Sequence, residues 1–188
     1  TSADVIVPLE EFPAEFAHNR SWNLVGNPYP CYFDLHSLKD DFYTPIVLWR
    51  GYDYQAYSPV DDNIILRPNE AFFVQRPIDV EQMVFGIDGR MHYDAAYKAT
   101  FNDSQKPGVA AAPARSIGGA ERNVFNFTVE GCGSDNRARI VMKENATMGY
   151  DTDRDAAKFF AATAKGAEIY IDGDVKYDIC ERPFGDGT

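Results

Sequence analysis

Along most of the chain apolar residues recur at every second position, the spacing of a strand with one covered face. In residues 123–130 (N-V-F-N-F-T-V-E), Phe125, Phe127 and Val129 fall on one side and Asn126, Thr128 and Glu130 on the other. Residues 137–144 follow the same rule, setting Ala138, Ile140 and Met142 against Arg139, Val141 and Lys143. The six residues between them (G-C-G-S-D-N) are turn formers, so the two runs read as a hairpin. Residues 168–171 and 175–179 form a second one around Asp172-Gly173-Asp174, where Asp-Gly offers the positive φ angles of a tight turn. Earlier, 46–49 and 52–57 flank Arg50-Gly51, 64–67 and 71–75 flank Pro68-Asn69-Glu70, and 82–87 ends at Asp88-Gly89. Many short strands with Gly, Pro, Asn and Asp between them predict an all-β fold, a β-sandwich of which a jelly roll is one form.

Two stretches break the alternation. Residues 102–120 hold two prolines and three glycines with little apolar periodicity, and read as a linker or long loop. They divide a β-rich first half (1–101) from a second sandwich half (121–188). Residues 153–165 (D-R-D-A-A-K-F-F-A-A-T-A-K) begin acidic, contain strong helix formers and stop at Gly166, which predicts one short helix. The chain starts at Thr1 and stops just after the last hairpin, so it reads as a fragment of a longer protein, its second half truncated at the C-terminus.

The 188 residues are 45% hydrophobic and 25% charged, which excludes wholesale disorder. The net charge of -11 repels phosphate backbones and anionic lipid, so nucleic acid is a poor partner and direct membrane insertion is not expected. No apolar run approaches the roughly 20 residues of a membrane span. Three separated cysteines, Cys31, Cys132 and Cys180, form neither a zinc motif nor a disulfide framework, and leave the compartment and any single disulfide open.

Residues 22–30 read W-N-L-V-G-N-P-Y-P, followed by an aromatic strand pair at 46–57 and by Pro68-Asn69-Glu70-Ala71-Phe72-Phe73-Val74. Further on come Glu144-Asn145-Ala146-Thr147-Met148-Gly149-Tyr150-Asp151 and Asp155-Ala156-Ala157-Lys158. In order and wording these stretches resemble a W-N-L-x-G-N-P-Y/F-P signature of large secreted and cell-surface proteins of Bacteroides-type bacteria. The resemblance implies a β-rich C-terminal module of an exported multidomain protein, with other domains of the same parent as its partners and no catalytic residues. Physically the motif looks like architecture. Its prolines hold their neighbours extended, Trp22 and Leu24 pack inward, and Asn23 and Asn27 satisfy backbone groups in the turn.

Candidate chemistry is sparse. Trp49, Tyr52, Tyr54 and Tyr57 could stack sugar rings, with Arg50, Asp53 and Gln55 supplying hydrogen bonds, or could simply be core. Asp151, Asp153 and Asp155 are spaced like the first ligands of a calcium loop, but Ala156 and Ala162 stand where that loop needs Gly and Glu. Calcium is the one cofactor the pattern suggests; otherwise none is expected. Asp40-Asp41 and Asp61-Asp62 read as hydrated turns rather than a glycosidase pair. His18, His36 and His92 lie far apart, and no nucleophile elbow or phosphate loop occurs. The expectation is a non-catalytic, secreted or cell-surface β-sandwich module serving architecture, secretion or adhesion. The alternatives are a carbohydrate-binding module of a polysaccharide-processing enzyme and a self-association module that exchanges strands.

Overall fold

The computed structural model describes residues 3–39, 42–92, 122–131, 134–162 and 166–184. The 102–120 linker lies outside them. The first half contributes β1 (Val5–Pro8), β2 (Trp22–Gly26), β3 (Tyr32–Asp34), β4 (Ile46–Trp49), β5 (Tyr54–Tyr57), β6 (Ile65–Leu66), β7 (Ala71–Gln75), β8 (Gln82–Phe85) and β9 (Arg90–Met91). The second contributes β10 (Arg122–Gly131), β11 (Ser134–Lys143), β12 (Ala156–Ala157), β13 (Ile171–Asp172) and β14 (Lys176–Arg182). The fold is all-β. Among the described residues the helical pieces are three short 3-10 turns.

Four sheets form. One has the order β2-β7-β4-β5; smaller ones pair β1 with β8 and align β6-β3-β9; the last runs β10-β11-β14-β12, with β13 also on β14. Turn chemistry sets two of the corners. Gly51 has φ 98° between β4 and β5, an angle that glycine adopts without steric cost. Asn69 reaches φ 59° in the Pro68-Asn69-Glu70 turn, where the chain leaves the β6-β3-β9 sheet for the β2-β7-β4-β5 sheet. Gly173, by contrast, stays outside the left-handed region. The expected tight turn is a three-residue loop that pairs Ile171 with Tyr177.

The β2-β7-β4-β5 sheet is the middle layer. One face buries Val25, Ile46, Leu48, Tyr57, Phe72 and Val74 against Phe33, Leu66, Met83 and Phe85 of the small sheets, a sandwich core. Its other face carries Val47 and Ala56, which pack on Ala156 and Ile179 of the second half, flanked by Trp22, Tyr54, Phe73 and Phe159. The W-N-L-V-G-N-P-Y-P segment joins the layers. The Asn23 carboxamide exchanges hydrogen bonds with the backbone of Glu10, Asn27 donates to the carbonyls of Cys31 and Arg67, and the Tyr29 hydroxyl donates to Phe85. Leu24 does not pack inward as expected. It is 65% exposed, because alternation turns Val25 to the core and the second half covers the opposite face only as far as Trp22.

The short helix expected over 153–165 does not form. After a turn at residues 151–154, Ala156 and Ala157 run extended and pair with Ile179 and Tyr177 of β14. Tertiary contact overrides propensity here, since small alanines fit the close approach to Val47 and Ala56, and Lys158 N–H donates to the Lys176 carbonyl. Residues 163–165 lie outside the described set. β10 and β11 form the expected hairpin, but the strands extend to Gly131 and Ser134 through most of the expected six-residue turn, and Phe125 and Phe127 are 49% and 45% exposed rather than covered. Besides Ala138, Val141, Tyr177, Ile179 and Cys180, the second half buries the polar Asn136, Arg139 and Asp178.

Gly89 packs against the first core with no room for a side chain. A Cβ there would lie 2.5 Å from the Phe33 ring and 2.7 Å from Ser37 Cβ. Gly89→Ala is expected to lower unfolding free energy by about 1–3 kcal/mol, read as a reduced urea midpoint at unchanged slope.

Candidate functional site

The chemistry-bearing side chains converge on the seam between the halves. Ser58 accepts from the N–H groups of Val60 and Asp61, a hydroxyl turn that aims Asp61 and Asp62 inward, and Asp62 in turn accepts from Ser58 N–H. From β11, Arg139 donates twice to Asp62 at 2.8 and 2.6 Å, and Arg137 donates to the same carboxylate at 2.8 and 3.1 Å. From β10, Arg122 grips Asp61 at 2.7 and 2.8 Å. Burial works against the charge of Asp62, but Arg137 and Arg139 outweigh it and hold its carboxyl below the usual range. The two acids expected in a hydrated turn are therefore buried anchors. Desolvation selects that outcome: inside, a bidentate guanidinium is what makes a buried carboxylate tolerable.

A ladder of side chains extends the seam along the turn between β4 and β5. Tyr52 donates to Asp135 at 2.7 Å, and Asn136 donates to Asp53 at 2.6 Å. The Gln55 carboxamide takes the N–H of Arg137 and gives an N–H to its carbonyl, standing in for a neighbouring strand. At the end of the ladder Lys158 donates from Nζ to Asn136 Oδ1 at 2.8 Å and lies 3.0 Å from Asp178 Oδ1. The side chains of Lys158 and Asp178 are both 0% exposed. Asp178 Oδ2 accepts from Ala56 N–H, whereas its Oδ1 has no aligned hydrogen-bond donor despite the nearby ammonium. Burial pushes the Asp178 carboxyl up to about 6 against the pull of Lys158.

The proposed glycan-stacking residues separate. Tyr57 is core, with Arg137 5.4 Å above its ring, and Tyr52 is held by Asp135 with Arg50 5.7 Å from its ring centre. Trp49, 45% exposed, and Tyr54 stay adjacent at 4.8 Å but their planes are inclined by 58°. Asp53 and Gln55, the expected sugar hydrogen-bonders, contact β11 instead.

Asp151, Asp153 and Asp155 serve their own backbone. Asp151 caps Asp153 N–H, Asp153 accepts from Ile78 N–H, and Asp155 takes the N–H groups of Asp151 and Glu181. Among the described residues no three His, Cys, Asp or Glu side chains stand together as metal ligands. Burial pushes Asp155 up to about 6, with those backbone donors and Arg182 opposing it. Cys31 and Cys180 are free thiols, and Cys132 lies outside the described residues. Within the seam a cavity of about 30 Å³ touches Asp61, Arg122, Arg154 and Glu181, room for about one water. An open groove of about 310 Å³ lies between His18 and the 174–176 loop.

Sequence reasoning missed the seam residues Asp62, Arg137, Arg139, Asn136, Lys158 and Asp178. The available signal was Arg137 and Arg139 on one face of an otherwise apolar strand, which needs acids opposite. No known protein family matches the chain, and neither a curated protein nor a solved structure does.

Asp62→Ala would leave the buried Arg139 without its bidentate carboxylate, with only Asp61 at 3.7 Å and the Asn126 carboxamide remaining. A loss of about 3–5 kcal/mol in unfolding free energy is expected by denaturant titration, well above that of an exposed pair such as Lys39–Asp4. Asp155 and Asp178 set a pH dependence of opposite sign to that of Asp62. Their folded pKa values are raised, so the stability they contribute is full below 3.8 and lost as pH climbs through about 6. Asp62 is depressed, so its contribution is lost only as pH falls below the ordinary carboxylate range. The urea midpoint is therefore expected to fall between 3.8 and about 6 and then level, with a flatter slope in Asp155→Asn.

Proposed function

We propose that this chain is a non-catalytic β-sandwich module of an exported, cell-surface protein, serving architecture, secretion or adhesion. The observation that supports it best is where the buried ionisable groups go. Asp61 and Asp62 engage Arg122, Arg137 and Arg139 across the seam, and Lys158 pairs with Asp178, which accepts from Ala56 N–H of the first half, so that cohesion between the halves is the result. Turnover of an outside substrate needs such groups at a cleft that the substrate enters, and the seam cavity holds about 30 Å³. Among the described residues no helix is long and apolar enough to cross a membrane. The exported setting and the partnership with other domains of a parent protein rest on the resemblance of residues 22–30 and their followers.

A second reading, self-association by strand addition, is favoured by β10. Among the described residues it ends its sheet and no described strand pairs with its outer edge, and Phe125 and Phe127 stand exposed beside that edge. Antiparallel pairing with a second copy about Asn126 places Phe125 opposite Phe127 and Arg122 opposite Glu130, a self-complementary register. A carbohydrate-binding role keeps only Trp49 and Tyr54 as a surface pair, in inclined planes.

Antibody against the chain is expected to label intact cells that make it, before permeabilisation. Labelling only after permeabilisation would overturn the exported reading. Light scattering across a concentration series separates the two uses, since a mass that doubles with concentration, and does not in Thr128→Pro, supports strand addition.

A further inference from the structure

Three groups meet in the seam with more order than an ion pair requires. Lys158 Nζ lies 2.8 Å from Asn136 Oδ1 and 3.0 Å from Asp178 Oδ1, and Asn136, like the side chains of Lys158 and Asp178, is 0% exposed. Asn136 is held at every polar atom: Nδ2 donates to Asp53 Oδ2 at 2.6 Å, and Oδ1 also accepts from Ile169 N–H at 3.2 Å. Lys158 is fixed by its own backbone, whose N–H donates to Lys176 O at 2.7 Å. Two buried carboxylate oxygens here, Asp178 Oδ1 and Asp53 Oδ1, lack an aligned hydrogen bond, although the Lys158 ammonium is 3.0 Å from the first. Buried acceptors left this way carry a desolvation cost, and a catalytic role is one reason a fold keeps them.

We propose that Lys158 and Asn136 join in an intramolecular isopeptide bond, with Asp178 as the proton acceptor. The ammonium of Lys158 gives a proton to Asp178, leaving a neutral amine beside the amide. Nζ attacks Asn136 Cγ, the carbonyl electrons move to Oδ1, and the Ile169 N–H and the site's dipoles steady the oxyanion. One of the two protons still on Nζ passes to Nδ2, relayed by Asp53, the Cγ–Nδ2 bond breaks, and ammonia departs. The products are the Lys158–Asn136 amide, protonated Asp178 and one ammonia, so atoms and charge balance without an oxidant or cofactor.

Physical conditions favour the forward step. In a site without water an ion pair is costly, and the neutral amine and carboxylic acid are closer in energy to the charged pair than in solution. Contact between nucleophile and amide is prepaid by folding, the situation in which intramolecular reactions run fastest. The bond would tie β11 to the segment after β12 and cross-link residues 22 positions apart. It needs no particular cellular setting, so it stands or falls apart from the proposed function.

Intact-mass spectrometry of the denatured full chain is the test. The expected result is a mass lower than the sequence by one ammonia, with a protease fragment linking Lys158 to Asn136. Lys158→Ala is expected to show the full mass, and Asp178→Asn to show the cross-link lost or slowed at least tenfold in a time course after refolding. A wild-type chain that is folded by circular dichroism and keeps its full mass overturns the proposal. So does an ammonia loss that persists in Lys158→Ala, because cyclisation of an asparagine onto its own backbone would then explain it. Both decisive readings survive a variant that fails to fold, since the first uses the wild type and the second needs only its mass.

Discussion

A carboxylate taken out of water must find cations, and Asp62 finds two. Its oxygens are shared by Arg137 and Arg139, which come from a strand 75 and 77 residues further along the chain. Desolvating these three groups is costly, and the cost is recovered only if all of them arrive in register. The rest of the seam follows from that demand. Once β11 is held at Asp62, Gln55 meets the Arg137 backbone, Asn136 meets Asp53, and Tyr52 meets Asp135. The contact is therefore specific in a way that apolar packing alone is not, because a shift of one residue along β11 would turn the arginines to the other face.

The two halves divide the work of cohesion. The first half buries a conventional apolar core between the β2-β7-β4-β5 sheet and its smaller partners. The second half buries fewer apolar side chains, among them Ala138, Val141, Tyr177 and Cys180. Its contribution to shared packing is Ala156 and Ile179 with Phe159, laid on the back of the first half's sheet. Charges and carboxamides supply what aliphatic side chains do elsewhere, and the aromatic residues of β10 are left outside. A cross-link between Lys158 and Asn136 fits this economy, since it would secure the half that has the smaller core.

Much of the fold was legible in the residue order. The runs 46–49 and 71–75 form strands β4 and β7 at their expected bounds, and the alternation of 123–130 recurs in the observed β10–β11 register. The asparagines of W-N-L-V-G-N-P-Y-P bind backbone groups as their short carboxamides suggest. Period and turn chemistry are local, so they survive translation from one dimension to three.

Which face of each strand meets protein was another matter. Period two says that Phe125 and Asn126 point apart, but not which side is covered, and here both stay exposed while the paired Arg139 of β11 is buried. Likewise the composition of 153–165 favours a helix in isolation. The segment instead lies extended, because β14 offers Ala156 and Ala157 a strand edge and the sheet behind offers them a shallow surface. The sequence alone therefore determined the strand class, the turns and the motif's internal bonding, all set by neighbours along the chain. Only the tertiary structure decided the seam. Burial, the pairing of Asp62 with its arginines and the meeting of Lys158 with Asn136 depend on which distant surfaces exclude water together.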